Sequence, residues 1–201
     1  MQLVVFSSPT LLEHEAQLIS SVLERGLETF HLRKPGCSLR AYEAILAPLS
    51  PAARAKLVVH DHHELATRWG LKGVHYTERA RAKAGHIKAL PGLTSSTALH
   101  QLEQLQEDHR SLDYAFLSPI FDSISKAGYS AAFADHEQLS AAVAASSVPL
   151  FALGGIEEST VRQGQDLNFV GVAALGSIWN SSSAPDAVSR LLDACALSQK
   201  S

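Results

Sequence analysis

Eight short apolar runs, spaced along the chain and separated by longer stretches of helical period, constrain this sequence most. The runs cover residues 3–6, 29–32, 56–60, 73–75, 92–95, 114–117, 148–153 and 169–173 and are rich in Val, Leu, Ile and Phe. A strand covered on both faces is apolar almost continuously, so the runs read as buried parallel strands. Between them, residues 11–25 place Leu12, Ala16, Ile19, Val22 and Leu23 on one helical face. Residues 40–49, 64–69, 98–106, 136–145, 157–163 and 185–196 follow the same logic, with a weaker segment at 80–88. Asp61, Ser96 and Asp135 stand where N-caps are expected. Alternation of this kind admits a closed (β/α)8 barrel or an open doubly wound sheet. In both, ligands bind at the carboxyl ends of the strands.

With 201 residues, the chain suits one domain spanning 1–201, short for a (β/α)8 barrel. Seventeen basic against 20 acidic residues argue against a nucleic-acid binder, which would carry a basic face. Cys37 and Cys195 lie too far apart in sequence for a C-x-x-C site, which fits a reducing, cytoplasmic setting. No apolar run approaches the ~20 residues of a membrane helix, and the brief apolar start lacks the form of a signal peptide. A homo-oligomer stays open.

The strand ends carry the chemistry. After the second run, His31 and Arg33 share a face, and with Lys34 they suit an anion or a solvated basic turn. After the third, His60-Asp61-His62-His63 offers metal ligands, although capping is the simpler reading for His62 and His63. His75-Tyr76-Thr77-Glu78 follows the fourth. Ser95 and its hydroxyl neighbours after the fifth can bind phosphate or cap a helix. The segment 118–130 after the sixth is long for a βα loop, and its Ser123, Ser125 and Lys126 suit a lid over an anionic substrate. Gly154-Gly155 and Gly176-Ser177 follow the last two strands. Backbone N–H groups at such turns hold phosphate, and a barrel places its phosphate site there, so these glycines favour the closed barrel.

Five stretches, in order, resemble the thiamine phosphate synthase and thiazole tautomerase superfamily: Phe30-His31-Leu32-Arg33-Lys34, Val59-His60-Asp61, Gly73-Val74-His75, the run from Asp113-Tyr114 to Lys126, and Ala152-Leu153-Gly154-Gly155-Ile156. The resemblance spans the chain. It implies a (β/α)8 barrel and a role in thiamine biosynthesis. The synthase releases pyrophosphate from hydroxymethylpyrimidine diphosphate with magnesium and basic residues, and the thiazole phosphate nitrogen captures the pyrimidine cation. The family's Q-L-R-E-K becomes His31-Leu32-Arg33-Lys34-Pro35, keeping the arginine, moving the lysine one place and replacing the glutamine with His31. The N-D pair becomes His60-Asp61, keeping one Mg²⁺ aspartate. In H-x-G-Q-E-D, the second aspartate becomes Ala80, with Glu78 nearby. T-x-T-K becomes Ser123-Ile124-Ser125-Lys126.

The resemblance thus implies Arg33 and Lys126 as catalytic groups, Asp61 as a Mg²⁺ ligand, Ser123 and Ser125 as phosphate contacts, and Gly155 and Gly176 as the thiazole phosphate site. The tautomerase branch uses a histidine where Pro119 stands, a role that His31 or His60 can take as acid or base. A non-catalytic barrel that binds a pathway phosphate or a partner protein is the third reading.

Overall fold

The computed structural model describes residues 1–78, 80–81, 90–107, 109–121, 133 and 135–198. Eight parallel strands close into a barrel in chain order, with β1 paired to β8: β1 Gln2–Phe6, β2 Phe30–Leu32, β3 Leu57–Val59, β4 Gly73–Tyr76, β5 Thr94–Leu99, β6 Tyr114–Leu117, β7 Leu150–Leu153 and β8 Gly171–Ala174. The helices are α1 Glu15–Leu23, α2 Leu39–Leu46, α3 Pro51–Arg54, α4 Glu64–Trp69, α5 His136–Ala144, α6 Val161–Asp166, α7 Gly176–Trp179 and α8 Ala184–Ser198, with a 3-10 turn at Leu102–Gln106. This is the expected (β/α)8 architecture.

Side-chain alternation divides the core into two layers. Outward-facing Val5, Leu32, Leu57, Val59, Leu117, Ala152 and Val172 pack under the helices. Inside the barrel sits a separate aromatic cluster of Val4, Phe6, Tyr114, Phe116, Phe151 and Ala173. Gly171 makes room for it, since a Cβ there would meet the Phe151 ring and, at 2.6 Å, the Gln2 carbonyl.

Asp135 caps α5 as expected, accepting from the Gln138 N–H at 2.9 Å. Two other expected caps do not form. Ser96 lies inside β5, in register with His75 and Tyr114, so the expected helix at 98–106 shrinks to the 3-10 turn. The hydroxyl-rich stretch looks like a loop in sequence, yet the barrel wall satisfies its side chains: Thr97 donates to the Tyr76 carbonyl at 2.7 Å. Helix α4 is preceded by His63, with no side-chain cap, and Asp61 instead accepts from the Tyr42 hydroxyl at 3.3 Å. The expected lid with Ser123, Ser125 and Lys126, and most of the weak segment 80–88, lie outside the described residues.

Candidate active site at the carboxyl end of the barrel

Alternation along β2 separates the two cations that follow His31. Leu32 and Lys34 face the helical layer, while His31 faces the barrel interior and Arg33 stands exposed at the mouth. Lys34 is fully buried. Its ammonium pairs with Glu15 and donates to the carbonyls of Ser8 and Thr10, both at 2.7 Å. It therefore fastens the β1–α1 connection and cannot serve an anionic ligand, against the expectation of a basic turn shared with His31 and Arg33. Ser7 holds the Arg33 backbone from both sides, donating to its carbonyl and accepting from its N–H, each at 2.9 Å.

Asp61 lies exposed at the end of β3. Tyr42 bridges it to the Lys34 turn by accepting from the Lys34 N–H at 3.0 Å and donating to Asp61. Burial raises the Tyr42 phenol pKa, with the Asp61 charge adding to the effect, so the hydroxyl remains a donor. Asp61 by itself is a sparse metal site, but Mg²⁺ is commonly held by one or two carboxylates plus substrate phosphates. Asp61 fits that pattern only when a diphosphate supplies the other oxygens. Ala80 offers none, and Glu78 is exposed.

Under the mouth, three imidazoles fill the barrel. The β3–β4 register sets Val58 beside Gly73, so His60 and His75, each two residues further on, stand level. Their rings stack at 4.0 Å and 24°. His31 Nδ1 lies 2.9 Å from His60 Nε2, and His31 Nε2 lies 2.7 Å from the Tyr114 hydroxyl. His75 Nδ1 meets Ser96 Oγ at 3.0 Å. Phe6 stacks on His31 at 4.9 Å and Phe116 meets it edge-on. Burial lowers the pKa of all three, His31 and His60 well below the ordinary imidazole value and His75 to about 3; neighbouring imidazoles lower His31 and His60 further, and Arg33 adds to the effect on His60 and His75. The cluster is neutral. The sequence singles out His31 and His60 but treats His75 only as part of a polar loop; the inward face of β4 is the signal that includes it.

The turns after β7 and β8 lie at the same end. Gly154 has φ of +100° and Gly155 of +64°. A side chain on Gly154 would also press on Pro119, with Cβ 3.0 Å from its Cα. The Ile120 and Phe121 N–H groups donate to Leu153 and Gly154 carbonyls at 3.0 and 3.2 Å, tying the β6 exit to this turn. Helix α6 begins only at Val161, so no helix follows Gly155 at once, as the sequence had suggested. Gly176 does open α7, which Trp179 pins to β1 by donating to the Phe6 carbonyl at 2.6 Å. Among the described residues, Ser177 Oγ is buried without a partner, an uncommon state for a hydroxyl.

Ser95 is the expected site residue that the fold moves. It enters β5 near the amino end, where its N–H and hydroxyl bind Asp113 at 2.7 and 3.1 Å. Its hydroxyl therefore braces the floor of the barrel and is not presented at the mouth. A cavity of about 310 Å³ opens at that same lower end, lined by Gln2, Thr29, Lys72, Thr94 and Asp113, opposite to the glycine turns.

The sequence profile of the thiamine monophosphate synthase family matches residues 2–178. The chain belongs to the thiamine monophosphate synthase family. That membership places it in thiamine biosynthesis, among transferase enzymes. It is 29% identical over 171 residues to a thiamine-phosphate synthase of a Psychrobacter species, covering 81% of this chain and 79% of the relative. A thiamine-phosphate synthase of Latilactobacillus sakei is 23% identical over 199 residues, 94% of this chain and 88% of the relative. The crystal structure of thiamine phosphate pyrophosphorylase from Bacteroides thetaiotaomicron superposes with a TM-score of 0.82 at 25% identity, covering 98% of both chains. Among the described residues, no helix is long and apolar enough to cross a membrane.

Proposed function

We propose that this enzyme joins hydroxymethylpyrimidine diphosphate to thiazole phosphate and releases pyrophosphate, in the cytoplasm. The observation carrying this reading is the pair of glycine turns at the ends of β7 and β8, with the buried Ser177 hydroxyl beside the second of them. The thiazole phosphate sits there, on the N–H groups of Gly154, Gly155, Gly176 and Ser177. The diphosphate lies across the mouth against Arg33; the family resemblance assigns it Lys126, Ser123 and Ser125 as further contacts, residues outside the described part of the chain. Arg33 can bind its oxygens through two N–H groups at once. Asp61 would hold Mg²⁺, and the bound ion would supply charge neutralisation for pyrophosphate. The neutral imidazoles form the floor beneath the pyrimidine.

A phosphate titration followed by amide shifts tests the anion site without turnover. Gly154, Gly155, Gly176 and Ser177 are expected to move first and together. Movement confined to another surface contradicts the assignment.

Turnover tests the reaction. With both substrates, pyrophosphate and thiamine phosphate are expected, with half-saturation only at high Mg²⁺ because Asp61 alone gives the ion a weak hold. Asp61→Asn is expected to lower synthase turnover at least ~100-fold, and Ala80→Asp to raise Mg²⁺ affinity and turnover together. Steep Mg²⁺ dependence that Asp61→Asn leaves untouched contradicts the metal assignment.

The His31–His60 contact supports a second reading, thiazole phosphate isomerisation, because two neutral imidazoles 2.9 Å apart can pass a proton between them. That activity is metal-free and survives Asp61→Asn.

A further inference from the structure

The three imidazoles inside the barrel do more than the proposed synthase chemistry requires of a floor. His31, His60 and His75 come from adjacent strands and are 0, 4 and 3% exposed. One ring nitrogen from each lies within 4.8 Å of the others. Two of the rings are also oriented from behind. His31 Nε2 is held by the Tyr114 hydroxyl, and His75 Nδ1 by Ser96 Oγ. A histidine bound to a metal through one nitrogen typically has the other fixed in this way, which sets both tautomer and ring plane. Around them, Phe6 and Phe116 form an apolar wall.

We propose that His31, His60 and His75 form a binding site for a first-row transition metal ion of the Zn²⁺ class, separate from the oxygen-based Mg²⁺ position at Asp61. Neutral imidazole is the ligand form, and it suits Zn²⁺, Co²⁺ or Ni²⁺ far better than Mg²⁺. Three nitrogen ligands leave a fourth position open, as in catalytic rather than closed structural zinc sites.

Metal–nitrogen bonds of about 2.1 Å in tetrahedral geometry set ligand nitrogens ~3.4 Å apart. The His31–His60 contact, 2.9 Å without metal, therefore widens by roughly half an ångström. The His60 ring turns away from its stacking on His75, since parallel rings do not aim their lone pairs at one point. His60→Asn and His31→Gln place the family's own side chains at these positions, so both variants are expected to keep the fold.

The experiment uses the full chain, stripped with chelator and free of substrates, so its outcome is independent of synthase activity. Titration with Co²⁺ is expected to give the visible absorption bands of a four-coordinate ion at one equivalent, displaced by one equivalent of Zn²⁺. Circular dichroism checks the fold of each variant. His60→Asn and His31→Gln are expected to weaken Co²⁺ binding at least tenfold, whereas Asp61→Asn leaves it unchanged. A wild-type protein that takes up no Co²⁺ overturns the site and leaves a hydrogen-bonded polar cluster in its place. Bands that persist in both histidine variants, or vanish in Asp61→Asn, overturn it as well.

Discussion

Acidification of the metal-free protein from pH 7.5 to pH 5 is expected to remove about 2 kcal/mol of stability through His75, with His31 and His60 adding losses of the same sign. All three have pKa values lower in the folded chain than the ordinary value of 6.5, the depression arising first from burial. The unfolded chain therefore binds more protons than the folded one once the pH drops below about 6.5. Above that value the linkage vanishes. Below it, stability is lost steadily as the pH falls towards the folded values, about 3 for His75. Whole-domain stabilities run to only ~5–15 kcal/mol, so a marked fall of the urea midpoint between pH 7 and pH 5 is expected. Urea midpoints at several pH values measure the effect, and ring ¹⁵N shifts report the charge directly. Imidazoles that titrate near 6.5 in the folded protein, with a flat urea midpoint, contradict the buried cluster.

The second large effect concerns Lys34. Lys34→Met is expected to cost ~3–5 kcal/mol in urea denaturation at pH 7, because it leaves the Glu15 carboxylate buried without its partner. It also strands the carbonyls of Ser8 and Thr10, which now accept from the ammonium. The double variant Lys34→Met with Glu15→Gln is expected to recover a good part of the loss, since it removes the uncompensated charge. A single variant as stable as wild type shows the pair to be solvated. If Lys34 instead served the diphosphate, its loss would raise KM with stability unchanged.

The barrel itself is legible in the sequence because parallel strands buried on both faces leave near-continuous apolar runs, and β1, β2, β6 and β8 fall where those runs lie. The burial of Lys34 is not legible: its place in a basic turn points to an anion or to solvent, whereas two residues after Leu32 it turns with Leu32 toward the helices, where Glu15 and two carbonyls hold it. Inter-strand stagger is not legible. His31, His60 and His75 are 29 and 15 positions apart in the chain, and only the register of β2, β3 and β4 brings them together. Ser95 and Ser96 mislead for a related reason. Serines favour turns when their hydroxyls must find local partners, but here adjacent strands supply those partners and the stretch extends into β5. Asp61 shows the same limit at a helix start, since its carboxylate is drawn to the distant Tyr42 rather than to the nearby α4 amides.

The rim of the barrel is fastened by main-chain bonds: Ser7 N–H to the His31 carbonyl, His60 to Leu32, Ser118 to Leu99, Ile120 to Leu153 and Phe121 to Gly154. Such bonds survive almost any change of side chain. For descent with modification, this uncouples inheritance of the frame from inheritance of the chemistry. Gly154 is the exception, because its conformation and its closeness to Pro119 resist replacement. Elsewhere around the barrel, inward side chains such as those of His31 and His60 can change while the turns that face a ligand keep their places, so a lineage can explore new floors beneath an unchanged doorway.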